Sequence, residues 1–195
     1  MRNAIPNLSH WLYLIPVFLI GLSGCIPSIV ADSAYDRSVD FQIYQTFALL
    51  EPEMANTSAD PNLYEPLLDR RIRDAIAAEL VKKGLTLDVE SPDLLVAYDV
   101  SVAQDAATAS PDFGYAYWFG YRSNYNTTDF PDYRPVGQYT PGTMLIDLVS
   151  ASTNELVWRG VAEGEIVATQ TDEGKIRRSI ISILSLYPPN QPPRQ

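Results

Sequence analysis

The sequence predicts an α+β domain in two layers, an antiparallel β-sheet with two helices packed on one face. Three observations carry that expectation. Two stretches, Leu67 to Lys83 and Asp172 to Tyr187, repeat apolar residues at helical spacing. Asp93 to Ala103 alternates apolar and polar residues as a half-buried strand does. The order of elements is strand, helix, several strands, helix, which suits helices gathered on one side of a sheet.

The chain opens with a segment to set aside before any fold is considered. Met1 to His10 carries one positive charge, Arg2, and Trp11 to Leu22 is an unbroken apolar run. That run has the length of a signal-peptide core and falls short of the ~20 residues needed to span a bilayer. Leu22-Ser23-Gly24-Cys25 follows it directly and has the form of a bacterial lipobox. Small residues let the peptidase fit the backbone, and the cysteine thiolate takes the diacylglycerol. The expected domain plan is a signal peptide over 1–24, cut between Gly24 and Cys25, and a lipidated tether over 25–34. A single domain over 35–188 and a disordered Pro-rich tail over 189–195 complete it. Each acyl chain contributes about 0.8 kcal/mol per buried methylene, so two or three hold a protein on a membrane. Residue two after the cut is Ile26 rather than Asp, which by the enteric sorting rule points to the outer membrane, facing the periplasm.

Along the domain, Tyr44 to Leu50 is rich in aromatic residues and reads as a strand. Glu51 to Pro61 is a polar, Pro-bounded loop. In the first helix Leu68, Ile72, Ile76 and Leu80 make the apolar stripe, Pro66 suits its first turn and Gly84 its stop. Asp69, Arg70, Arg71, Arg73 and Asp74 are expected on its wet surface. Leu94, Val96, Tyr98, Val100 and Val102 share one strand face, with Asp99 and Ser101 on the other. Thr143 to Val149 and Glu155 to Ala168 read as a hairpin around Ser150 to Asn154. In its second strand Leu156, Trp158, Gly160, Ala162, Gly164 and Ile166 are expected on one face, where the small residues leave room for a helix. Ile176, Ile180, Ile183, Leu184 and Tyr187 line the last helix, with Thr171 or Asp172 as cap and Pro188-Pro189 as stop.

Ten of the 21 aromatic residues fall between Ser110 and Pro141. Asp112 to Tyr121 reads as one more strand within that stretch, and Asn124 to Val136 as a long loop. Such a density has two explanations. Tyr115, Tyr117, Trp118, Tyr121 and Tyr125 can form a partner-binding surface, since Tyr and Trp offer rigid area with a polar handle. Alternatively the rings serve the fold through cross-strand pairs. Tyr117-Trp118-Phe119 cannot all be buried by one alternating strand.

Charge and composition narrow the chemistry. Removing the first 24 residues, Arg2 included, takes the net charge from −10 to −11. An acidic domain of this kind argues against nucleic acid or anionic headgroups as partners. His10 and Cys25 are the only His and Cys, so after cleavage there is no free thiol and no histidine. Histidine-dependent triads, cysteine nucleophiles and His/Cys zinc sites are therefore excluded, and no metal or cofactor is expected. No dinucleotide, P-loop or nucleophile-elbow motif occurs. Asp99, Asp147, Glu163 and Glu165 are the strand-borne acids that could support glycosidic cleavage, against an ordinary solvent-facing role for each.

Several segments carry a resemblance to a known family. They are Tyr35-Asp36, Val39-Asp40-Phe41, Tyr44 to Ala48, Pro66 to Ile72, Lys83-Gly84-Leu85, Pro92 to Tyr98, Gly142 to Val149 and Asn154 to Gly160. In this order they are similar to the bacterial lipoprotein family known as domain of unknown function 4136, over nearly all of the mature chain. The resemblance implies a lipoprotein with an α+β domain and no established activity, so no catalytic residues carry over. A site around Trp158 and Arg159 is a further candidate, since Arg can stack on an aromatic ring or hold a carboxylate. The expectation is a non-enzymatic envelope lipoprotein, joined to the membrane by its lipid and to an envelope protein or cell-wall partner through the aromatic stretch. The alternative is a carboxylate-dependent hydrolase of envelope polysaccharide.

Overall fold

The computed structural model describes residues 29–50, 66–102, 117–120, 125–135, 138–140, 142–163 and 173–190. Its centre is the hairpin of β6 (Met144–Ser150) and β7 (Glu155–Ala162), turned through Asn154 in the left-handed region that Asn tolerates. On the far side of β6 lies β4 (Leu94–Val102), antiparallel to it, and on the far side of β7 lies β1 (Ala31–Tyr35), also antiparallel. The remaining edge of β4 is shared end to end. β2 (Thr46–Leu49) pairs with its first half, and β5 (Tyr117–Gly120) with its second. The two-residue β3 (Thr86–Leu87) completes the sheet beside β2.

The α+β class and both helices are as expected, but the sheet is mixed. β2 runs parallel to β4 and to β3. The reason lies in α1 (Pro66–Lys82), which carries the chain back across the sheet between β2 and β4, the crossover a parallel pair requires. Asp93 fixes this pairing: its Oδ2 accepts the Gln45 and Thr46 amides at 2.8 and 3.0 Å, and its own amide donates to Thr46 Oγ1. Gly84 ends α1 with φ 95°, and Leu85 donates back to Leu80.

β1 was not expected as a strand. Ala31-Asp32-Ser33-Ala34 belongs to the segment read as tether, and its polar sequence has no strand pattern. Full register with β7, from Ala31 opposite Ala162 to Tyr35 opposite Trp158, imposes the extended form from outside.

One face of the sheet holds the main core. Ile72, Ile76 and Leu80 of α1 and Ile176, Ile180, Ile183 and Leu184 of α2 (Glu173–Leu184) pack on Phe47, Val96, Tyr98, Ile146, Leu148 and Trp158. Asp69 is not on the wet surface of α1; it is buried and accepts a hydrogen bond from the Tyr98 hydroxyl. Arg73 likewise turns inward and donates to the Leu50 carbonyl at 3.1 Å. Gly160 lies directly beneath α2, as the run of small residues suggested. A Cβ there would meet Ile183 Cγ2 and the Trp158 ring at 2.4 Å each.

Leu156 departs from the expected face. A bulge falls between Leu148 and Val149, so Trp158 pairs with Leu148 while Leu156 pairs with Val149, leaving Val157 as the extra residue. Leu156 therefore points to the opposite face, where it joins Val149 and Phe130 in a second apolar cluster with Leu95, Tyr125 and Tyr133. Segment 125–135 covers that face, tied to the hairpin by Asn126, which donates to Asn154 O and accepts from Leu156 N. The Thr171 and Asp172 caps and residues 191–195 of the expected tail lie outside the described residues.

Gly160→Ala is expected to cost about 1–3 kcal/mol by overpacking, read as a lowered urea midpoint; an unchanged midpoint would contradict the close approach of α2. The backbone hydrogen bonds from Gln45 and Thr46 lower the Asp93 pKa in the folded state. A carboxyl depressed in this way contributes stability that is complete above the unfolded value of about 3.9 and is lost as pH falls through the folded value. Below about pH 4 the wild type should therefore lose stability more steeply than Asp93→Asn, measured as urea midpoint against pH.

Candidate functional site

The bulge at Val157 has a chemical consequence on the second face of the sheet. It brings Arg159 of β7 directly opposite Asp147 of β6. Arg159 Nε donates to Asp147 Oδ1 at 2.6 Å and Nη2 to Oδ2 at 2.5 Å, a two-pronged pair with both side chains almost wholly buried. The third guanidinium nitrogen, Nη1, donates to the Arg134 carbonyl at 2.8 Å, and the guanidinium carbon lies 4.7 Å from the Tyr133 ring centre. Tyr125 completes the cluster by donating its hydroxyl to Asp147 Oδ2.

The electrostatics follow from burial and pairing. Burial alone would lower the Arg159 pKa; the hydrogen bonds and charge of Asp147 outweigh it and raise the pKa above its ordinary value. Burial, reinforced by the charge on Asp147, raises the Tyr125 pKa far above that of a free phenol. Tyr125 is thus a permanent donor and Arg159 a permanent cation. A second pair lies nearer the surface, where Glu163 is ion-paired with Arg134 and accepts from Thr140 Oγ1 at 3.0 Å. Burial raises the Glu163 pKa, but the Arg134 and Thr140 hydrogen bonds prevail and the net shift is downward. The Arg134 guanidinium also lies 3.5 Å over the Tyr139 ring.

Both oxygens of Asp147 are engaged, and so are both oxygens of Glu163. This cluster is a clamp: β6 and β7 supply the ion pair, while Tyr125, Tyr133 and the Arg134 carbonyl belong to the covering segment. Asp99, on the neighbouring strand, is buried as well. Glu165 lies outside the described residues. Among those residues, no group of three or more His, Cys, Asp or Glu comes together. A groove of about 380 Å³ lies between the helices, lined by Leu68, Ile72, Ala75, Ile176 and Ile180, with the Arg71–Glu173 ion pair at its side.

The aromatic candidates separate. Tyr117 and Trp118 fall on β5, opposite Val102 and Ser101. Tyr125 is partly buried and turned onto Asp147. Tyr115, Tyr121, Gly24 and Cys25 lie outside the described residues. Of the Trp158 and Arg159 pair, Trp158 is a core residue, edge-on to Tyr187 at 5.7 Å. Arg159 on the opposite face does both things its chemistry allows, holding a carboxylate and stacking on a ring. Arg134, Tyr133 and Tyr139 were not anticipated; nothing local in the sequence marks them as partners of the hairpin.

Asp147→Ala is expected to cost about 3–5 kcal/mol, because it leaves the Arg159 charge buried and unpaired. The double variant Asp147→Leu with Arg159→Met should recover most of that loss. Urea midpoints of the single and double variants test this, and a cost below about 1 kcal/mol for Asp147→Ala would refute the clamp.

The family profile described as "Domain of unknown function (DUF4136)" matches residues 31–189. No curated protein matches the chain. A DUF4136 family protein from Bacteroides thetaiotaomicron is similar in structure, at 16% identity and TM-score 0.53, over 82% of this chain and 96% of that one. A PDZ domain protein from Parabacteroides distasonis aligns at 19% identity and TM-score 0.49 over 85% of this chain; the chain spans only 37% of that protein. A PelC dodecamer from Paraburkholderia phytofirmans aligns at 9% identity and TM-score 0.40, over 80% of this chain and 94% of that one.

Proposed function

We propose that this chain, which belongs to the family described as Domain of unknown function (DUF4136), is a non-enzymatic binding or structural module of the bacterial envelope. It is held on the outer membrane, facing the periplasm, by lipid on Cys25, and it meets an envelope partner through the Tyr/Trp-rich strand β5. The observation that carries this reading is the division of labour among the side chains. The strand-borne acids Asp147 and Glu163 are committed to Arg159, Tyr125, Arg134 and Thr140. Tyr117-Trp118-Phe119 meanwhile falls on a strand whose one described partner is β4. Cleavage of a polysaccharide needs two carboxyl groups, one free to donate a proton and one to attack or to activate water. Asp147 and Glu163 each have both oxygens engaged by donors of the domain itself, which favours contact over catalysis.

The lipobox makes the anchor testable. Cys25→Ala should abolish labelling by palmitate in cells and block removal of residues 1–24; undiminished labelling and cleavage would sink the lipoprotein reading. For the contact surface, a photo-crosslinking residue at Tyr117 should capture an envelope component, whether protein, cell-wall polymer or phospholipid. The same residue at Leu87, exposed on β3 beyond the other half of that edge of β4, should capture far less. Equal yields at the two positions would argue that β5 has no privileged contact.

A further inference from the structure

The strand register places two features at the same end of the sheet. Reading across it, Ala31 of β1 lies opposite Ala162 of β7, Ala162 opposite Met144 of β6, Met144 opposite Val100 of β4, and Val100 opposite Phe119 of β5. The chain enters β1 past this row, coming from Cys25. β5 runs antiparallel to β4, so Trp118 and Tyr117 also lie past the row on the same side, opposite Ser101 and Val102. Tyr117 stands about 7 Å beyond Phe119 along the strand, and four strand spacings of roughly 4.8 Å separate β5 from β1.

The anchor has little slack. Ile29 is fixed to the domain, since its carbonyl accepts a hydrogen bond from Ser182 Oγ of α2 at 2.8 Å and its side chain packs on the main core. Three residues, Ile26 to Ser28, join it to Cys25, a span of at most about 14 Å over four backbone steps even when fully extended. Lipid on Cys25 therefore keeps the Ala31 end of the sheet within about 14 Å of the bilayer surface, and the start of β5 lies at that same end. Val30, at that end, is 80% exposed. The residue types also suit the location. Tyr and Trp partition to the boundary between headgroups and acyl chains, where an apolar body and a polar tip are both satisfied. The acidic mature chain favours an uncharged or zwitterionic surface over an anionic one.

We infer that Tyr117-Trp118-Phe119 rests in the bilayer interface beside the lipid on Cys25, so that the partner of β5 is the membrane itself. This rests on the lipoprotein reading above and narrows it. The two contacts, about 19 Å apart across the sheet, fix the orientation of the domain, which one flexible lipid stem cannot do.

The test uses the processed full-length lipoprotein, reconstituted into phosphatidylcholine vesicles whose acyl chains carry bromine near the headgroup. Of the three tryptophans, Trp11 leaves with residues 1–24 and Trp158 is fully buried in the core. Contact quenching by bromine therefore reports on Trp118. Tryptophan emission should fall roughly twofold on going from plain to brominated vesicles, as expected for a ring at the interface. In Trp118→Tyr, which keeps an aromatic ring at the position, the remaining emission should not change. Protein that floats with the vesicles and carries lipid by mass spectrometry, yet shows no quenching in the wild type, overturns the inference and leaves the anchor standing. Protein with an unmodified Cys25 overturns both readings. The wild-type comparison stands by itself if Trp118→Tyr does not fold.

Discussion

The buried pair of Asp147 and Arg159 sets the condition that one whole side of this molecule must meet. A strand face carrying two opposite charges can be left in water at no cost or buried under a cover that supplies it with hydrogen-bond partners. This protein takes the second course. Moving either ion out of water costs several kcal/mol, which mutual attraction offsets only when the remaining hydrogen-bonding positions are filled. The covering segment contributes to this: Tyr125 donates to Asp147 Oδ2, the Arg134 carbonyl accepts from the third guanidinium nitrogen, and the Tyr133 ring lies over the cation. Phe130 then packs on Val149 and Leu156 beside the charges. A polypeptide stretch without regular secondary structure is thereby given one position over the sheet.

The same bulge serves the helix face. A regular hairpin continued from the Ser150–Glu155 pair would place Asp147 opposite Trp158, with Arg159 one step out of register. The extra residue at Val157 corrects the pairing and switches the alternation of β7, so that Leu156 and Trp158 lie on opposite faces. Trp158 then fills the space beneath α2 beside Gly160, and meets Tyr187 edge-on. Ion pair, second apolar cluster and helix packing thus depend on one inserted residue. A change in this hairpin is felt on both sides of the sheet.

The sequence makes the strongly periodic elements legible. α1, α2, β4 and the β6–β7 hairpin all lie where apolar spacing puts them, because each buries one face against a common core. What it hides has physical reasons. β1 has no pattern of its own and is made a strand by β7. The parallel pairing of β2 with β4 depends on where α1 crosses, although strand, helix and strand in succession was a cue for it. The bulge leaves no mark in a run such as Glu155-Leu156-Val157-Trp158, where any alternation can be read. Asp147 and Arg159 each stand out as candidates, but that they face each other follows only from the shifted register. Asp69 and Arg73 resemble a wet helix face until Tyr98 and the Leu50 carbonyl come to meet them.

The two ends of the sheet order are treated differently, and this bears on how the protein can make contacts. At one end β3 is only two residues long, too short to template another chain. At the other, β1 turns the Asp36 amide toward β7, so the residues between its bonded pairs, Ser33 among them, present their amides outward. Asp32 accepts the Ser33 amide at 2.8 Å with its own side chain. An incoming strand would have to displace that bond and approach a carboxylate in a chain already strongly negative. The backbone at the β1 edge thus resists strand addition. With both ends of the β1-to-β3 order poorly suited to pairing, contacts fall to β5, whose one described partner is β4 and where Tyr and Trp are concentrated.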